Sequence, residues 1–132
     1  MDQKELYIDW RLLKEFVKQI YLKMGLPSED AETGADSLVW ANLRGVDSHG
    51  VLRLQWFVHM VDNGQLNPRP NMKVLKETPA ILFVDGDRGL GAVAATFAMK
   101  RAMEKAKGVG IGWVLLTNSA TPLAIGYYNS SC

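Results

Sequence analysis

The stretch "AILFVDGDRGLGAVAATFAMKRAMEKAKGVGIGWVLLTN", residues 80–118, decides the fold class. "AILFVD" is a short apolar run bounded by turn residues, which reads as a buried strand. "DGDRGLG" is a turn. Ala95, Ala98, Met99, Ala102, Met103 and Ala106 then recur at i, i+3, i+4, i+7, i+8 and i+11, the spacing of an amphipathic helix. Lys100, Arg101, Glu104 and Lys105 take its wet side, and "GIGWVLLTN" follows as a second buried strand. A strand, helix, strand order predicts an α/β protein, or α+β with mixed pairing in the sheet. The three glycines Gly86, Gly89 and Gly91 stand in the order G-x-x-G-x-G, not G-x-G-x-x-G, and no acidic residue follows at the dinucleotide spacing. They read as a strand-to-helix turn, not a phosphate cradle.

Upstream, "MKVLKE" reads as a more exposed strand, and Pro68 and Pro70 make "QLNPRPN" a loop. Before that loop the periodicity is helical. Ile8, Leu12, Leu13, Phe16, Val17, Ile20 and Met24 form one apolar stripe, stopped by Gly25 and Pro27. Ser28 is the expected N-cap of a second helix, with Glu29 and Asp30 in its first turn. That helix should bury Ala35, Leu38, Val39 and Leu43 and end near Gly45. A third is expected from just after Ser48 to Gly64. The chain thus reads as one unit over residues 1–132, with a helical part, 1–64, and a strand-helix-strand part, 72–132.

Composition narrows the function classes. With 132 residues and 48% apolar content, the chain can bury a core. Lys+Arg 15 against Asp+Glu 14 leaves no basic surplus for nucleic acid or an anionic membrane. Cys132 is the only cysteine, so no internal disulfide forms, which suits a cytoplasmic location. "MDQKELYIDW" lacks the apolar core of a signal peptide. No clustered Cys, His, Asp or Glu at ligand spacing suggests a metal. His59 reads as a packed or half-exposed helix residue, and Trp10, Trp40, Trp56 and Trp113 as core. Residues 108–132 carry no charge. Asn118, Ser119, Thr121 and Pro122 argue against a membrane span. The run predicts a buried strand and loop, in a chain cut where further structure would cover it.

The candidate chemistry lies in "RGVDSHGVLR", residues 44–53. Gly45 should close one helix and Asp47 or Ser48 cap the next, leaving free N–H groups in front of His49. Arg53 from within the new helix and Arg44 from the end of the old one could reach the same point. Helix-terminal N–H groups and guanidinium forks suit a small carboxylate. A histidine beside it could exchange a proton with the oxygen of a 2-oxo or 2-hydroxy acid. The same residues also suit plain capping, with both arginines solvated.

"RGVDSHGVLR", the alanine-bearing helix before it and the aromatic helix ending in "NG" after it resemble the malate/L-lactate dehydrogenase family, which has a non-Rossmann fold. The resemblance runs on through "DGDRGLGAVAATFAMKRAMEKAKGVGIGWVLLTNS" to "IGYY". It implies an oxidoreductase that interconverts small 2-hydroxy and 2-oxo acids or related carboxylates, with NAD or NADP as cofactor. It also implies a homodimer. For His49 it implies proton transfer, for Ser48 and Arg53 substrate binding, and for Arg44 support. Family members are far longer, and most of their cofactor-binding segment has no counterpart here. Thr121 stands where the family has a second active-site histidine, and Pro122 where it has an aromatic residue. The alternatives are a truncated, non-catalytic relative acting through association with other chains, and a free-standing small-acid-binding module.

Overall fold

The computed structural model describes residues 7–130, which form an α/β unit with a mixed sheet. Helices α1 (Trp10–Lys23), α2 (Ser28–Asn42) and α3 (Leu54–Asp62) come first. Strands β1 (Lys73–Glu77) and β2 (Ile81–Asp85), helix α4 (Gly91–Val109), strand β3 (Trp113–Thr117) and the short helix α5 (Gly126–Asn129) follow. The sheet order is β1-β2-β3, with β1 antiparallel and β3 parallel to β2. Among the described residues no helix is long and apolar enough to cross a membrane.

Small residues set the helix packing. Ala31, Gly34 and Ala35 on α2 let the Tyr21 ring of α1 lie against the helix surface, and a Cβ on Gly34 would come within 2.8 Å of Tyr21 Cε2. Val17, Tyr21, Leu38, Phe57, Leu66 and Leu90 close the core around that contact. Outside it, Lys14 bridges Glu32 (2.7 Å) and Asp36 (2.8 Å), while Lys18 bridges Glu32 (2.8 Å). These two ammonium groups, Lys14 first, hold the Glu32 carboxyl far below the usual range, at about 2.

Several expectations need correction. α1 buries only Val17 and Tyr21 completely, and Ile8, Leu12 and Phe16 are exposed. The apolar stripe of α1 is therefore wider than the surface α2 offers it. Leu43 is also exposed, because α2 ends at Asn42 and Gly45 turns the chain away in a left-handed conformation (φ +72°). α2 starts at Ser28 itself, with Pro27 in the cap position and no side-chain cap bond. α1 does have a cap, in which Asp9 Oδ1 accepts the Arg11 N–H at 2.8 Å. Trp10, Trp56 and Trp113 are exposed, not core, and His59 lies exposed on α3.

The sheet shows the largest departure. α4 lies on one face, where Leu82 and Val84 are fully buried, while the half-buried Val114 and Leu116 line a cavity of about 290 Å³ together with Ala95, Ala98, Met99 and Ala102. β2 is more buried than β1, as its sequence suggests. β3 is not a buried strand, since Trp113 and Leu115 face outward, 60% and 48% exposed. Along α4, Lys105 and Arg101 reach Glu77 of β1, at 2.8 and 3.5 Å.

Candidate active site

Residues 44–53 form two 3-10 turns, Asp47–His49 and Val51–Arg53, not the opening of one helix. Gly50 separates them in an extended conformation (φ −92°, ψ −151°), and α3 proper begins at Leu54. The device that holds this shape is Asn42, the last residue of α2. Its Nδ2 donates to Asp47 Oδ1 at 2.6 Å, and its Oδ1 accepts the Val51 N–H at 2.9 Å. A side chain at position 50 would collide with that carboxamide, so the glycine is required by space and not by backbone torsion.

Because the turns are 3-10, several of the N–H groups expected to face a ligand are already engaged. His49 donates to Val46 O (3.0 Å), Gly50 to Asp47 O (3.1 Å), Val51 to Asn42 and Arg53 to Gly50 O (2.9 Å). Asp47 accepts from Asn42 and caps no helix, and Ser48 makes no cap bond either. The expected helix-terminus site therefore loses these four N–H donors. What remains is a side-chain cluster. Ser48 Oγ and His49 Nδ1 lie 2.9 Å apart, sharing a proton whose direction follows the imidazole tautomer. Arg53 Nε donates to the Ser48 carbonyl at 2.6 Å, which anchors the guanidinium beside the pair. Among the described residues neither Arg53 nor Arg44 is ion-paired to a carboxylate.

Arg44 makes a contact that its spacing does not reveal. Its guanidinium stacks on Trp40, 3.9 Å from the ring centroid, and Trp40 meets Tyr127 of α5 edge-on at 5.9 Å. Tyr127 in turn donates to Asp36 Oδ2 at 3.0 Å. Arg44 is thus part of the joint between α2 and α5, whereas Ser48, His49 and Arg53 form one bonded unit.

The glycine-rich turn after β2 is a packing joint. Asp87 and Arg88 adopt positive φ (49° and 56°), and Asp87 Oδ2 accepts from Asn67 Nδ2 and the Asn71 N–H, both at 2.9 Å. Asp85 accepts from the Asp87 N–H and from Asn118 Nδ2, each at 2.8 Å, and these bonds hold its carboxyl below the usual range. A Cβ on Gly91 would overlap the Thr121 and Ala120 carbonyls, and one on Gly89 would press on Pro70. The start of α4 is thus filled by the chain's own backbone, and the residues present do not fit a dinucleotide there. Arg88, Gln65, Met60, Asn118, Ser119 and Ala120 line a small cavity of about 180 Å³ beside this joint. Thr121 is exposed, its Oγ1 accepting the Leu123 N–H at 3.3 Å. Among the described residues no group of three His, Cys, Asp or Glu could hold a metal ion.

The sequence reading missed Asn42. The signal was a polar residue in the last turn of α2, five positions before an aspartate that it could bridge.

The fold has counterparts among proteins named as dehydrogenases and reductases of small acids. The chain belongs to the malate/L-lactate dehydrogenase family, which it matches over residues 8–132. It is 41% identical over 128 residues to a malate dehydrogenase of Pyrococcus horikoshii, covering 97% of this chain and 36% of that protein. An L-sulfolactate dehydrogenase of Methanocaldococcus jannaschii is 42% identical over 117 residues, covering 88% and 34%. Among solved structures, the Pyrococcus horikoshii malate dehydrogenase superposes with a TM-score of 0.90 at 40% identity, over 97% of this chain and 39% of that one. The Methanocaldococcus jannaschii sulfolactate dehydrogenase gives 0.93 at 37% identity, over 96% and 37%. The chain spans about a third of the length of the curated relatives it matches.

Proposed function

We propose that this chain is the substrate-holding part of an NAD- or NADP-dependent oxidoreductase that interconverts a small 2-hydroxy acid and the corresponding 2-oxo acid. The observation that carries the reading is the bonded unit Ser48–His49–Arg53, in which a guanidinium without a carboxylate partner is fixed beside an imidazole. Arg53 binds the substrate carboxylate through its remaining N–H groups, and such charge-assisted bonds contribute about 1.5–3 kcal/mol. Ser48 holds Nδ1, which directs Nε2 of His49 to the oxygen on the adjacent carbon. There the imidazole gives a proton in one direction and takes it back in the other. Arg44, stacked on Trp40, adds positive potential from the end of α2. The names of the relatives, malate and sulfolactate dehydrogenases, support a small acid carrying a second anionic group. No dinucleotide cradle exists at the glycine-rich turn, so the chemistry assigned to these residues ends at the substrate's carboxylate and oxygen. A homodimer belongs to the same reading, by likeness to the family.

The test is turnover of NADH or NADPH with a panel of small 2-oxo acids by the chain joined to the portion of the Pyrococcus horikoshii malate dehydrogenase that lies outside the match. His49→Ala should lower the rate by about 10²–10⁴, the range for loss of a general acid–base group. Turnover indifferent to His49 contradicts the assignment.

A second reading, a non-catalytic relative that works through association, is favoured by Thr121 in place of the family's second histidine and by the bare apolar face of the sheet. A folded chain that binds no small 2-oxo or 2-hydroxy acid decides for it.

A further inference from the structure

Asn42 grips the turn that carries His49 from both sides. Its Nδ2 donates to Asp47 Oδ1 ahead of the imidazole, and its Oδ1 accepts the Val51 N–H beyond it. The turn Asp47–His49 is thereby tied to the end of α2, and so is the turn Val51–Arg53, which runs into α3. Gly50 lies against the same carboxamide, so the chain between the two bonds has no slack. Among the described residues one other side-chain bond joins the two turns, from Arg53 Nε to the Ser48 carbonyl. The orientation of the carboxamide is unique, because a carboxylate only accepts and a backbone N–H only donates. Asp47 is exposed, so water would satisfy its carboxylate as well, and asparagine is a poor helix former for the last turn of α2. What the arrangement supplies is placement.

We propose that Asn42 is a positioning residue for the proton transfer assigned above to His49, a role that rests on that assignment. His49 and Arg53 stand on different turns, and the acid lies between them. Their spacing therefore decides whether the substrate oxygen meets Nε2 while the carboxylate stays in the guanidinium fork. A misplacement of about 1 Å costs on the order of 10²-fold in rate. When Asn42 is changed, Arg53 keeps its anchor on the Ser48 carbonyl, so carboxylate binding persists. The imidazole loses the bonds that fix its turn to α2, so the proton-transfer step is the one that slows. Asp47 belongs to the same device, as the acceptor that turns Oδ1 of Asn42 toward Val51.

The test is steady-state kinetics of variants in the chain joined to the same Pyrococcus horikoshii portion, with the 2-oxo acid of the panel that the parent uses best. Asn42→Asp keeps an acceptor for the Val51 N–H but sets a second carboxylate against Asp47. It should lower kcat by about 10-fold or more and leave KM within about threefold of the parent. Relative to the parent, the loss should shrink as pH falls, because two carboxylates in contact take up one proton between them and regain the bond. Asn42→Asp combined with Asp47→Asn exchanges donor and acceptor and should recover most of the lost kcat. A merely structural role would lower the melting temperature without separating kcat from KM. A parent without turnover, or turnover indifferent to His49→Ala, removes the reading of the site and the role of Asn42 with it. Where His49 is required, an unchanged kcat in Asn42→Asp overturns the role of Asn42 alone. A rise in KM only, or an exchanged pair no faster than Asn42→Asp, does the same.

Discussion

Asn42 and Val51 are nine residues apart in sequence and joined by a 2.9 Å bond, from the Val51 N–H to Asn42 Oδ1. The same carboxamide holds Asp47 through its other end, at 2.6 Å. One side chain thus shapes the turn that carries His49. Asn42→Ala removes both bonds and leaves the part-buried Val51 N–H without its acceptor. The expected loss is about 1–2 kcal/mol in denaturant-induced unfolding, with faster hydrogen exchange at Val51. Unchanged exchange there would mean that the bond does not hold the turn.

Gly50→Ala tests the same relationship from the opposite side. The backbone torsions accept alanine, but the new methyl meets the Asn42 carboxamide. The expected cost is about 1–3 kcal/mol. In an Asn42→Ala background the obstacle is gone, so the two changes should couple by roughly 1 kcal/mol. Simple additivity in a double-mutant cycle would refute the steric account.

Two glycines of α4 should respond with opposite signs. A Cβ on Gly91 meets the backbone of Thr121 and Ala120, which cannot yield as a side chain can. Gly91→Ala is expected to destabilise by about 3 kcal/mol or more. Gly108 has nothing within 4 Å, and alanine there should stabilise the helix by about 0.5–1 kcal/mol. Thermal unfolding of the two variants checks both signs.

Acid should weaken the joint between α1 and α2. Glu32 has its carboxyl lowered from 4.5 to about 2 by Lys14 and Lys18. Its contribution is therefore complete above the unfolded value and is lost as pH falls from 4.5 toward 2. The Glu32 side chain is 44% exposed, so screening by solvent keeps the effect below about 1 kcal/mol. Glu32→Gln should flatten the acid limb of the stability profile, and added salt should shrink the difference from the parent. Superimposable acid limbs would show that the pair contributes nothing.

The elements with a strong period were legible in the sequence. The strand, helix, strand order of residues 80–118 stands, because the 3.6-residue spacing of Ala95 to Ala106 and the glycines around it leave little choice. The buried or exposed state of each face was harder to read. "WVLLT" and the wide stripe of α1 are apolar beyond what the described residues cover, and periodicity alone does not say what covers a face. The sequence places a helix junction before His49 and starts the third helix just after Ser48, whereas α3 begins only at Leu54. Asn42 captures the Val51 N–H, a tertiary bond that no local propensity records, and it replaces the expected helix opening with two 3-10 turns. Arg44 has the sequence position to reach the same point as Arg53, and its stacking on Trp40 is a tertiary contact that spacing does not record.

The central claim is that Arg53 and His49 act on one small acid. Its most direct test is nuclear magnetic resonance of the chain during titration with L-malate, following the His49 ring and the Arg53 Nε–H. The account predicts saturable shifts of both signals in the parent, and no His49 shift in Arg53→Ala. Signals that stay still in the parent, or a His49 shift that survives Arg53→Ala, would contradict it.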